Sequence, residues 1–336
     1  MSSVRVIARE AGVSIATVSR VLNNHPRVSA EVRDRVLAAA NQQRYVAQVG
    51  KRSTANVAIL YTGELSLGST FDAQLMWGMT AGLEEYGYDL MVLDAKRSMQ
   101  PGETYTQMLM RKGVRGLVLR TTQDTRKVCL AIADEGFPAV VVGDRFDHND
   151  VRFVYSDSRE PSHEAVEHLI ALGHTRIGIC LNNVEDSDHG DRLEGYRQAL
   201  DAHGLAWDRK LVFRVPAHRP GGAQLIRRVA AMADRPTALY ITDPATSAGA
   251  FKEARTAGLQ VPGDLSIVGF DDTETRFGVY PEMSAVCQDT AALGREALDA
   301  LHEVIASGPD KPAPVRKALR AWFEVHESTA APPGDG

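Results

Sequence analysis

The sequence contains little cysteine. Only three cysteines occur among 336 residues, at positions 129, 180 and 287. They are far apart, odd in number and without Cys-x-x-Cys spacing, which argues against both a disulfide framework and a zinc site. The sequence therefore predicts a fold held together by an ordinary apolar core.

Long apolar runs and catalytic signatures are also absent. No run approaches the roughly 18 apolar residues that span a bilayer, and no signal peptide precedes the first predicted helix. No Gly-x-x-x-x-Gly-Lys-Ser/Thr, His-Glu-x-x-His or Gly-x-Ser-x-Gly motif is present, and no nucleophile has an adjacent base. We therefore expect a cytoplasmic protein with no membrane association, no catalytic residues, no cofactor and no metal.

Charge is unevenly distributed along the chain. Residues 1–52 hold nine Lys and Arg against three Asp and Glu, although the whole chain has 38 basic and 43 acidic residues. A small basic segment joined to an acidic body suits a DNA contact at one end and disfavours unspecific binding elsewhere.

Residues 4–23 (VRVIAREAGVSIATVSRVLN) contain two short helical patterns separated by a tight break. Gly12 can end the first helix with a positive φ, and Ser14 is placed to cap the second. The apolar positions recur at helical spacing: Val4, Ile7, Ala8 and Ala11 in the first pattern, and Val18, Val21 and Leu22 in the second. This arrangement predicts a helix-turn-helix, whose second helix enters the DNA major groove. The alternative is an ordinary helical hairpin in a small bundle.

The outward-facing residues of the second helix suit DNA contact. Thr17, Ser19 and Asn23 can donate to phosphates, and Arg20 can reach O6 and N7 of guanine. The apolar residues at the start of the helix suit contact with thymine methyl groups. The candidate DNA-binding residues are Ser14, Ile15, Ala16, Thr17, Ser19, Arg20, Asn23, Arg27 and Ser29.

A third helix is predicted after residues 25–28 (HPRV). Ser29 is placed at its N-cap, and Glu31 lies in its first turn, where a negative charge is favourable. Its apolar stripe consists of Val32, Val36, Leu37 and Ala40. With Tyr45 closing the small core, the sequence predicts a three-helix DNA-binding domain over residues 1–46.

The stretch AREAGVSIATVSRVLNNHPRVSAEVRDRVLAAA closely resembles the N-terminus of the lactose-repressor family of bacterial transcription regulators. The resemblance continues through HLIALGHTRIGI, RLEGYRQAL, RPTALYITD, AGLQVPGDLSIVGFDD and LGREALDAL, which look like the effector-binding core of that family. It implies a regulator, expected to be a repressor, whose operator affinity is set by a small ligand, expected to be a sugar.

Residues 46–56 (VAQVGKRSTAN) are polar and basic, as expected for a linker, which we place at 47–56. In the family this segment carries a Pro and a hinge helix whose Leu wedges into the minor groove. This sequence has no Pro after Tyr45, no Leu before Leu60, and Gly50 in the middle. A flexible linker with Lys51 and Arg52 at phosphates and a shortened hinge helix both remain open. We expect a mostly non-helical segment and a weakly kinked operator.

From Val57 onward, short apolar runs alternate with helical patterns, which include residues 71–86, 158–172 and 191–203. The runs VAILY, YDLMVL, GLVLR and PAVVVGD form a first round, and RIGICL, KLVFRV, TALYIT and LSIVGFDD form a second. This alternation predicts an α/β fold with two doubly wound parallel sheets, one in each of two lobes. Right-handed crossovers place the carboxyl ends of both sets of strands along a shared cleft.

The resemblance implies the fold of periplasmic sugar-binding proteins, in which the chain crosses between the lobes three times, here near 158, 286 and 310. We therefore expect a core over 57–328, with a first lobe over 57–158 and 286–310 and a second over 159–285 and 311–328. The Pro/Gly-rich tail 329–336 is expected to be disordered. Because the tail lacks Leu heptads, we expect a homodimer on a palindromic double-stranded operator.

Several polar residues directly follow predicted strands, where ligands bind in doubly wound sheets. They are Asp144, Thr242, Asp243, Asp271 and Asp272. By resemblance, Phe71 stacks on the effector, and Asp144, Arg192, Thr242 and Asp271 contact it. Helix capping and strand-end turns are the alternative, which we favour for Asp243 and Asp272. The family often has an aromatic residue where Pro216 or Ala217 stands, so His218 or Arg219 is a candidate to replace that contact.

Residues 182–189 (NNVEDSDH) are rich in oxygen-bearing side chains. They lack the spacing of a calcium loop, in which a Gly and a terminal Glu occupy set positions. We expect an ordinary solvated loop on the rim of the cleft.

The competing hypothesis is a cytoplasmic solute-binding or enzymatic α/β protein with an incidental helical segment at its N-terminus. The basic charge of that segment argues against it. Salt-dependent binding to random DNA distinguishes the two, because only the regulator should show a steep slope.

Overall fold

The computed structural model describes residues 4–22, 28–42, 55–62, 69–120, 125–183, 186–307 and 315–334. The N-terminal head consists of α1 (Val4–Glu10), α2 (Ile15–Leu22) and α3 (Ala30–Gln42). Gly12 has φ +63° between α1 and α2, as predicted for the turn. The head has its own core, formed by Ile7, Ala8, Ala11, Val18, Val21, Val36, Ala39 and Ala40. The predictions for Asn23, Arg27, Tyr45 and nearly all of the linker lie outside the described residues.

The first lobe contains a parallel six-stranded sheet in the order β11-β5-β4-β3-β1-β2. Its strands are β1 (Asn56–Tyr61), β2 (Asp89–Asp94), β3 (Val114–Arg120), β4 (Ala139–Val142), β5 (Phe153–Asp157) and β11 (Arg316–Arg320). Its helices are α4 (Thr70–Tyr86), α5 (Ala95–Ser98), α6 (Tyr105–Arg111), α7 (Arg126–Asp134) and α12 (Thr290–Ser307).

The second lobe contains a six-stranded sheet in the order β12-β10-β9-β8-β6-β7, with β12 antiparallel to β10. Its strands are β6 (Ile177–Asn182), β7 (Val212–Val215), β8 (Ala238–Ile241), β9 (Ser266–Asp271), β10 (Ser284–Cys287) and β12 (Trp322–Glu324). Its helices are α8 (Arg159–Ala171), α9 (Ser187–Ala202), α10 (Arg219–Ala230) and α11 (Pro244–Thr256), with 3₁₀ turns at Arg209–Leu211 and Thr275–Phe277.

In each sheet the central strands are buried on both faces, as is usual for parallel sheets covered by helices. In β1, Ala58 and Leu60 pack into one apolar cluster, while Val57 and Ile59 pack into the cluster on the opposite face. The predicted α/β architecture is therefore confirmed. The three cysteines are free and buried, in agreement with the prediction. Within the described ranges, no helix is long and apolar enough to cross a membrane.

The chain passes between the lobes after β5, after β10 and between β11 and β12. The first two passages agree with the positions expected near 158 and 286. The third does not lie near 310, because β11 pairs with β5 in the first sheet and only β12 joins the second. The passage is at Ala321, and residues 316–320 belong to the first lobe rather than to the second.

The expected disorder of the tail is wrong for the residues that the structure describes there. Thr329 contacts the ring of His168 at 2.8 Å, and the backbone N–H of Ala330 donates to Ser266 at 3.0 Å. The carbonyl of Ala330 lies 2.9 Å from Nε2 of His174, which is 1% exposed. Buried polar groups need hydrogen-bond partners. The tail supplies them, and this holds residues 329 and 330 in place.

Candidate functional site

The exposed face of α2 is the candidate DNA-contacting surface. The Ser14 side chain accepts a hydrogen bond from the Thr17 N–H at 3.1 Å, so Ser14 caps α2 as predicted. Val18 and Val21 point inward, whereas the apolar side chain of Ile15 is half-exposed. The exposed residues of this surface are Ser14, Ile15, Ala16, Ser19 and Arg20, and Thr17 is half-buried. A capped helix with this outward face can enter a major groove.

Ser29 is also exposed, directly before α3. Its carbonyl accepts from the Arg33 N–H at 3.0 Å, so its position at the helix start agrees with the predicted N-cap. The N-terminal ends of α2 and α3 both leave backbone N–H groups available, as phosphate contacts require.

Phe71 lies in the first turn of α4, which begins beside the carboxyl end of the first sheet. The guanidinium of Arg120, the last residue of β3, lies 4.1 Å from the centre of the Phe71 ring. The same guanidinium donates to Asp72 at 3.0 Å. Asp72 is fully buried, so this ion pair fixes Arg120 against one face of the aromatic ring. Asp72 and Arg120 thus adjoin the predicted effector contact Phe71, and the sequence reasoning did not single them out.

Asp144 joins the two lobes at the expected cleft. It is fully buried and pairs with Arg126 at 3.2 Å in the first lobe. Its Oδ1 also accepts from the Arg145 N–H at 2.8 Å and from the hydroxyl of Ser187, which lies in the second lobe. In this structure the lobes therefore contact each other directly at Asp144.

A second contact joins the lobes through Asp191 on α9. The Arg145 guanidinium reaches Asp191 from the first lobe at 2.7 Å, and Arg159 reaches it from α8 of the second lobe at 2.5 Å. Asp191 is 1% exposed, whereas the two arginines are partly exposed. A depression of about 380 Å³ beside these arginines is lined by Arg145, Asp157, Arg159, Glu160, His163 and Gln198. It is separate from the predicted effector contacts.

Arg192 lies on α9 and is only 5% exposed. Its guanidinium lies 3.6 Å from the centre of the Phe270 ring and donates to the Thr242 carbonyl at 2.8 Å. Its Nε is buried without a hydrogen-bond partner. The Thr242 hydroxyl instead donates to the Cys180 carbonyl at 2.9 Å, which ties β8 to β6. Arg192 therefore has a free buried donor, while the Thr242 hydroxyl is used within the sheet.

Asp271 closes the turn that follows β9. Its carboxylate accepts from the N–H groups of Thr273, Thr275 and Arg276, and from the Arg276 guanidinium at 2.9 Å. Arg276 also pairs with Glu324 on β12 at 2.7 Å. Sequence reasoning missed this partner, which competes with any ligand for Asp271. Asp243 caps α11 by accepting from the Thr246 N–H at 2.7 Å, as expected.

The helix α9 begins earlier than predicted. Asp186 accepts from the His189 N–H at 2.8 Å and starts the helix at Ser187. The expected solvated loop over 182–189 is therefore wrong for residues 187–189, because a helix N-cap follows Asn183 within a few residues. Asp188 therefore lies in the first turn of α9 and faces the cleft, where it is 5% exposed and its Oδ1 has no hydrogen-bond partner.

Two carboxyl groups of the cleft have strongly raised pKa values. Burial, followed by the charge of Asp186, raises the pKa of Asp188 to about 8 despite Arg192 and Arg120 nearby. Burial, followed by the charge of Asp271, raises the pKa of Asp272 to about 7, although Thr70 donates to it. The capping role favoured for Asp272 does not account for its Oδ1, which is buried without a partner.

Of the two substitute contacts considered near residue 216, His218 is engaged within the fold, whereas Arg219 is exposed. His218 Nδ1 accepts from the Gly221 N–H at 2.9 Å and caps α10, whose first residue is Arg219. Among the residues that the structure covers, no group of three or more His, Cys, Asp or Glu side chains is arranged to hold a metal ion.

Comparisons with known proteins agree with both parts of the chain. Residues 4–48 match the family described as bacterial regulatory proteins, lacI family, and residues 166–329 match the periplasmic binding protein-like domain. The ribose operon repressor of Haemophilus influenzae is 30% identical over 310 residues, which cover 90% of this chain and 91% of that protein.

Solved structures match nearly the whole chain. The complex of the transcriptional regulator CelR with cellobiose has a TM-score of 0.72 and 26% identity, covering 98% of this chain and 100% of that one. The lac repressor dimer bound to operator and an anti-inducer has a TM-score of 0.67 and 24% identity, covering 98% and 99%. The second likeness bears on the fold alone.

Proposed function

The chain belongs to the lacI family of bacterial regulatory proteins, and from this premise we propose that it represses transcription by binding a palindromic operator as a homodimer. The observation that carries the proposal is the exposed face of a capped α2 on a separate, basic head. In the proposed complex α2 enters the major groove, and a dimer places two such helices about 34 Å apart on double-stranded DNA.

The proposed DNA contacts divide by chemistry. Arg20 reads guanine, Ile15 and Ala16 contact base edges through their apolar groups, and the hydroxyls of the head contact phosphates. The full proposed set is Ser14, Ile15, Ala16, Thr17, Ser19, Arg20, Asn23, Arg27 and Ser29. We place the boundary of the head at residue 46 and the linker at 47–55, because Asn56 begins β1.

The proposed effector is a sugar bound between the lobes. Phe71 offers an aromatic face for an apolar sugar face, and Asp144 and Arg192 approach from opposite lobes. Thr242 and Asp271 complete the proposed contacts, Asp271 after release of Arg276. The cellobiose complex of CelR and the ribose operon repressor support a sugar as the class of effector.

Effector control acts through the contacts between the lobes. Asp144 reaches Ser187, and Arg145 reaches Asp191, so a molecule inserted between the lobes changes both contacts. A change in lobe orientation alters the spacing of the heads and therefore the affinity for the operator. Such coupling between sites is typically about 1–3 kcal/mol.

Operator selection from a random duplex library tests the proposal with the full chain. Recovered sequences should share a palindrome, and the affinity for them should fall steeply with salt, as release of counterions from phosphates requires. A thermal-shift screen of sugars then identifies molecules whose addition changes operator affinity. Failure to enrich any sequence, with salt-independent binding, would contradict the proposal. It would favour a solute-binding or enzymatic protein, a role that the matched regulators do not have.

A further inference from the structure

Each cleft arginine of the first lobe, and Arg276 of the second, already has a carboxylate partner. Arg120 pairs with Asp72 at 3.0 Å, and Arg126 pairs with Asp144 at 3.2 Å. Arg276 pairs with Asp271 at 2.9 Å and also with Glu324. An anionic ligand therefore meets guanidinium groups whose charge is already balanced.

Arg192 offers the free Nε donor, but its surroundings disfavour an anion. Asp188 lies one helical turn earlier on α9, so a phosphate that reached Arg192 would oppose the ionisation of that carboxyl group, whereas an ammonium group would favour it. Nη1 of Arg192 donates to the Thr242 carbonyl, and the guanidinium plane lies against the face of Phe270.

Asp188 is aimed across the cleft at the first lobe. A methyl group placed on Gly143 would lie 3.4 Å from Oδ2 of Asp188, 3.0 Å from Arg120 and 3.7 Å from the Phe71 ring. These three side chains therefore converge on one point between the lobes. Asp188 is 5% exposed, and its Oδ1 has no hydrogen-bond partner.

Its neighbours on α9 are paired differently. Asp186 contacts His189 at 2.7 Å, and Asp191 is held by Arg145 and Arg159. Asp272 resembles Asp188, because its Oδ1 is also buried without a partner and its side chain contacts Thr70, next to Phe71. The cleft thus contains two carboxyl groups that lack a cation.

We propose that the effector carries a protonated amine in addition to hydroxyl groups, and that Asp188 and Asp272 select it over neutral and phosphorylated analogues. This inference rests on the proposed effector control. The ammonium group supplies N–H donors to the two orphaned oxygens and a positive charge to the site. The ring of Phe71 faces the apolar side of the same molecule.

Binding then releases protons. Burial keeps the carboxyl group of Asp188 mostly protonated at pH 7 and that of Asp272 about half protonated, since their pKa values are raised to about 8 and about 7. When the ammonium group takes the place of these protons, the carboxyl groups ionise and the protons pass to the buffer. A neutral sugar that accepts hydrogen bonds from the protonated acids releases none.

The test uses the full chain at pH 7 with matched probes. D-glucosamine, D-glucose and D-glucose 6-phosphate form one set, and the galactose and mannose series form two more. We expect one amino sugar to raise the melting temperature most. It should bind at least tenfold more tightly than its neutral counterpart, because a close pair of opposite charges stabilises a complex by about that much or more. Calorimetry in buffers of different ionisation enthalpy should show proton release for that amino sugar.

Asp188→Asn and Asp272→Asn should each remove most of the preference for the amine and the proton release. Asp201→Asn, at an exposed position of the same helix, is the matched control and should leave both unchanged. Three outcomes would overturn the proposal. They are tighter binding of a neutral or phosphorylated probe, an unchanged preference for the amine in both cleft variants, and no response to any amino sugar. If a neutral or phosphorylated probe nevertheless changed operator affinity, the proposed function would stand without the amine.

Discussion

Arg20 and Arg35 are both exposed in the head but lie on different helices, α2 and α3. Arg20→Ala should weaken binding to the selected operator by about 1–3 kcal/mol and binding to random DNA much less, because a base contact is lost. Arg35→Ala removes the same charge away from the recognition face. It should weaken binding to the operator and to random DNA slightly and by similar factors, as measured by fluorescence anisotropy. Equal losses on both DNAs for Arg20→Ala would make Arg20 a phosphate contact.

The carboxyl group of Asp188 should make stability depend on pH. Burial and then Asp186 and Asp191 raise its pKa to about 8, against the lowering effects of Arg192 and Arg120. The unfolded chain loses this proton near pH 4, whereas the folded chain keeps it up to about pH 8. The stability that the group contributes is therefore complete below pH 4 and lost as pH rises through this window.

Asp188→Asn should consequently flatten the fall in stability between pH 5 and pH 8. We expect a difference of roughly 1–3 kcal/mol between the variant and the wild type over that range, from urea melts. Asp201→Asn, exposed on the same helix, should follow the wild-type profile. Parallel profiles for wild type and Asp188→Asn would mean that Asp188 is ionised in the folded chain.

The rule that ligands bind at the carboxyl ends of strands located part of the candidate site, but it did not predict the hydrogen-bond partners of the residues there. Asp144 and Asp271 do lie at carboxyl ends of strands and are buried, as a doubly wound sheet predicts. Ser187 is 43 residues away from Asp144 along the chain, and Arg276 lies in the irregular turn that follows Asp271, so no periodic pattern reveals either partner. Asp188 was missed for a related reason, since the N-cap at Asp186 that turns it inward lies in a segment that looked like a loop.

Amphipathic helices and buried apolar strands could be predicted, whereas the exposed strand β11 could not. The helices near 71–86 and 158–172 appear within one or two residues of the predicted bounds, as Thr70–Tyr86 and Arg159–Ala171. The strand Arg316–Arg320 is mostly exposed and basic at three of its five positions, so its sequence carries no buried-strand signal. Its place is decided by pairing with β5, a contact between distant parts of the chain.

The pairing of α4 with α12 depends on two glycines. A Cβ at Gly78 would lie 1.8 Å from the Ala291 carbonyl oxygen, and a Cβ at Gly294 would lie 2.1 Å from the Leu75 carbonyl oxygen. A Cβ at either position would clash with backbone atoms, which cannot move aside as a flexible side chain can. Gly78→Ala should therefore force the helices apart and lower the free energy of unfolding by about 1–3 kcal/mol or more.

Gly190→Ala is the matched control in α9. A Cβ there meets nothing within 4 Å, so the change should stabilise the chain by about 0.5–1 kcal/mol through helix propensity. Opposite shifts of the urea midpoint are expected for the two variants. A neutral Gly78→Ala would show that α4 and α12 can separate without cost.

Across the whole molecule, the two lobes are joined by three passages of the chain and by side-chain contacts from Asp144 and Arg145. The number of passages could be expected from the resemblance, but the place of the third could not, because it depends on which sheet β11 joins. The passage at Ala321 leads directly into β12, whose Glu324 pairs with Arg276 and so with the turn at Asp271. A movement of the lobes is thereby linked to a proposed effector contact.

Substitutions of Arg145 and Arg159 can distinguish the effect of losing a contact between the lobes from the effect of losing a positive charge. Both guanidinium groups pair with the buried Asp191, but Arg145 comes from the first lobe and Arg159 from the second. Arg145→Ala and Arg159→Ala should each cost about 1–2 kcal/mol of stability, less than a fully buried pair, because both arginines are partly exposed.

Arg145→Ala alone removes a contact between the lobes. It should increase the radius of gyration in small-angle scattering and weaken the binding of an effector held between the lobes by about tenfold. Arg159→Ala should leave both near wild-type values. Equal scattering and equal effector affinity for the two variants would show that the Arg145–Asp191 contact does not hold the lobes together.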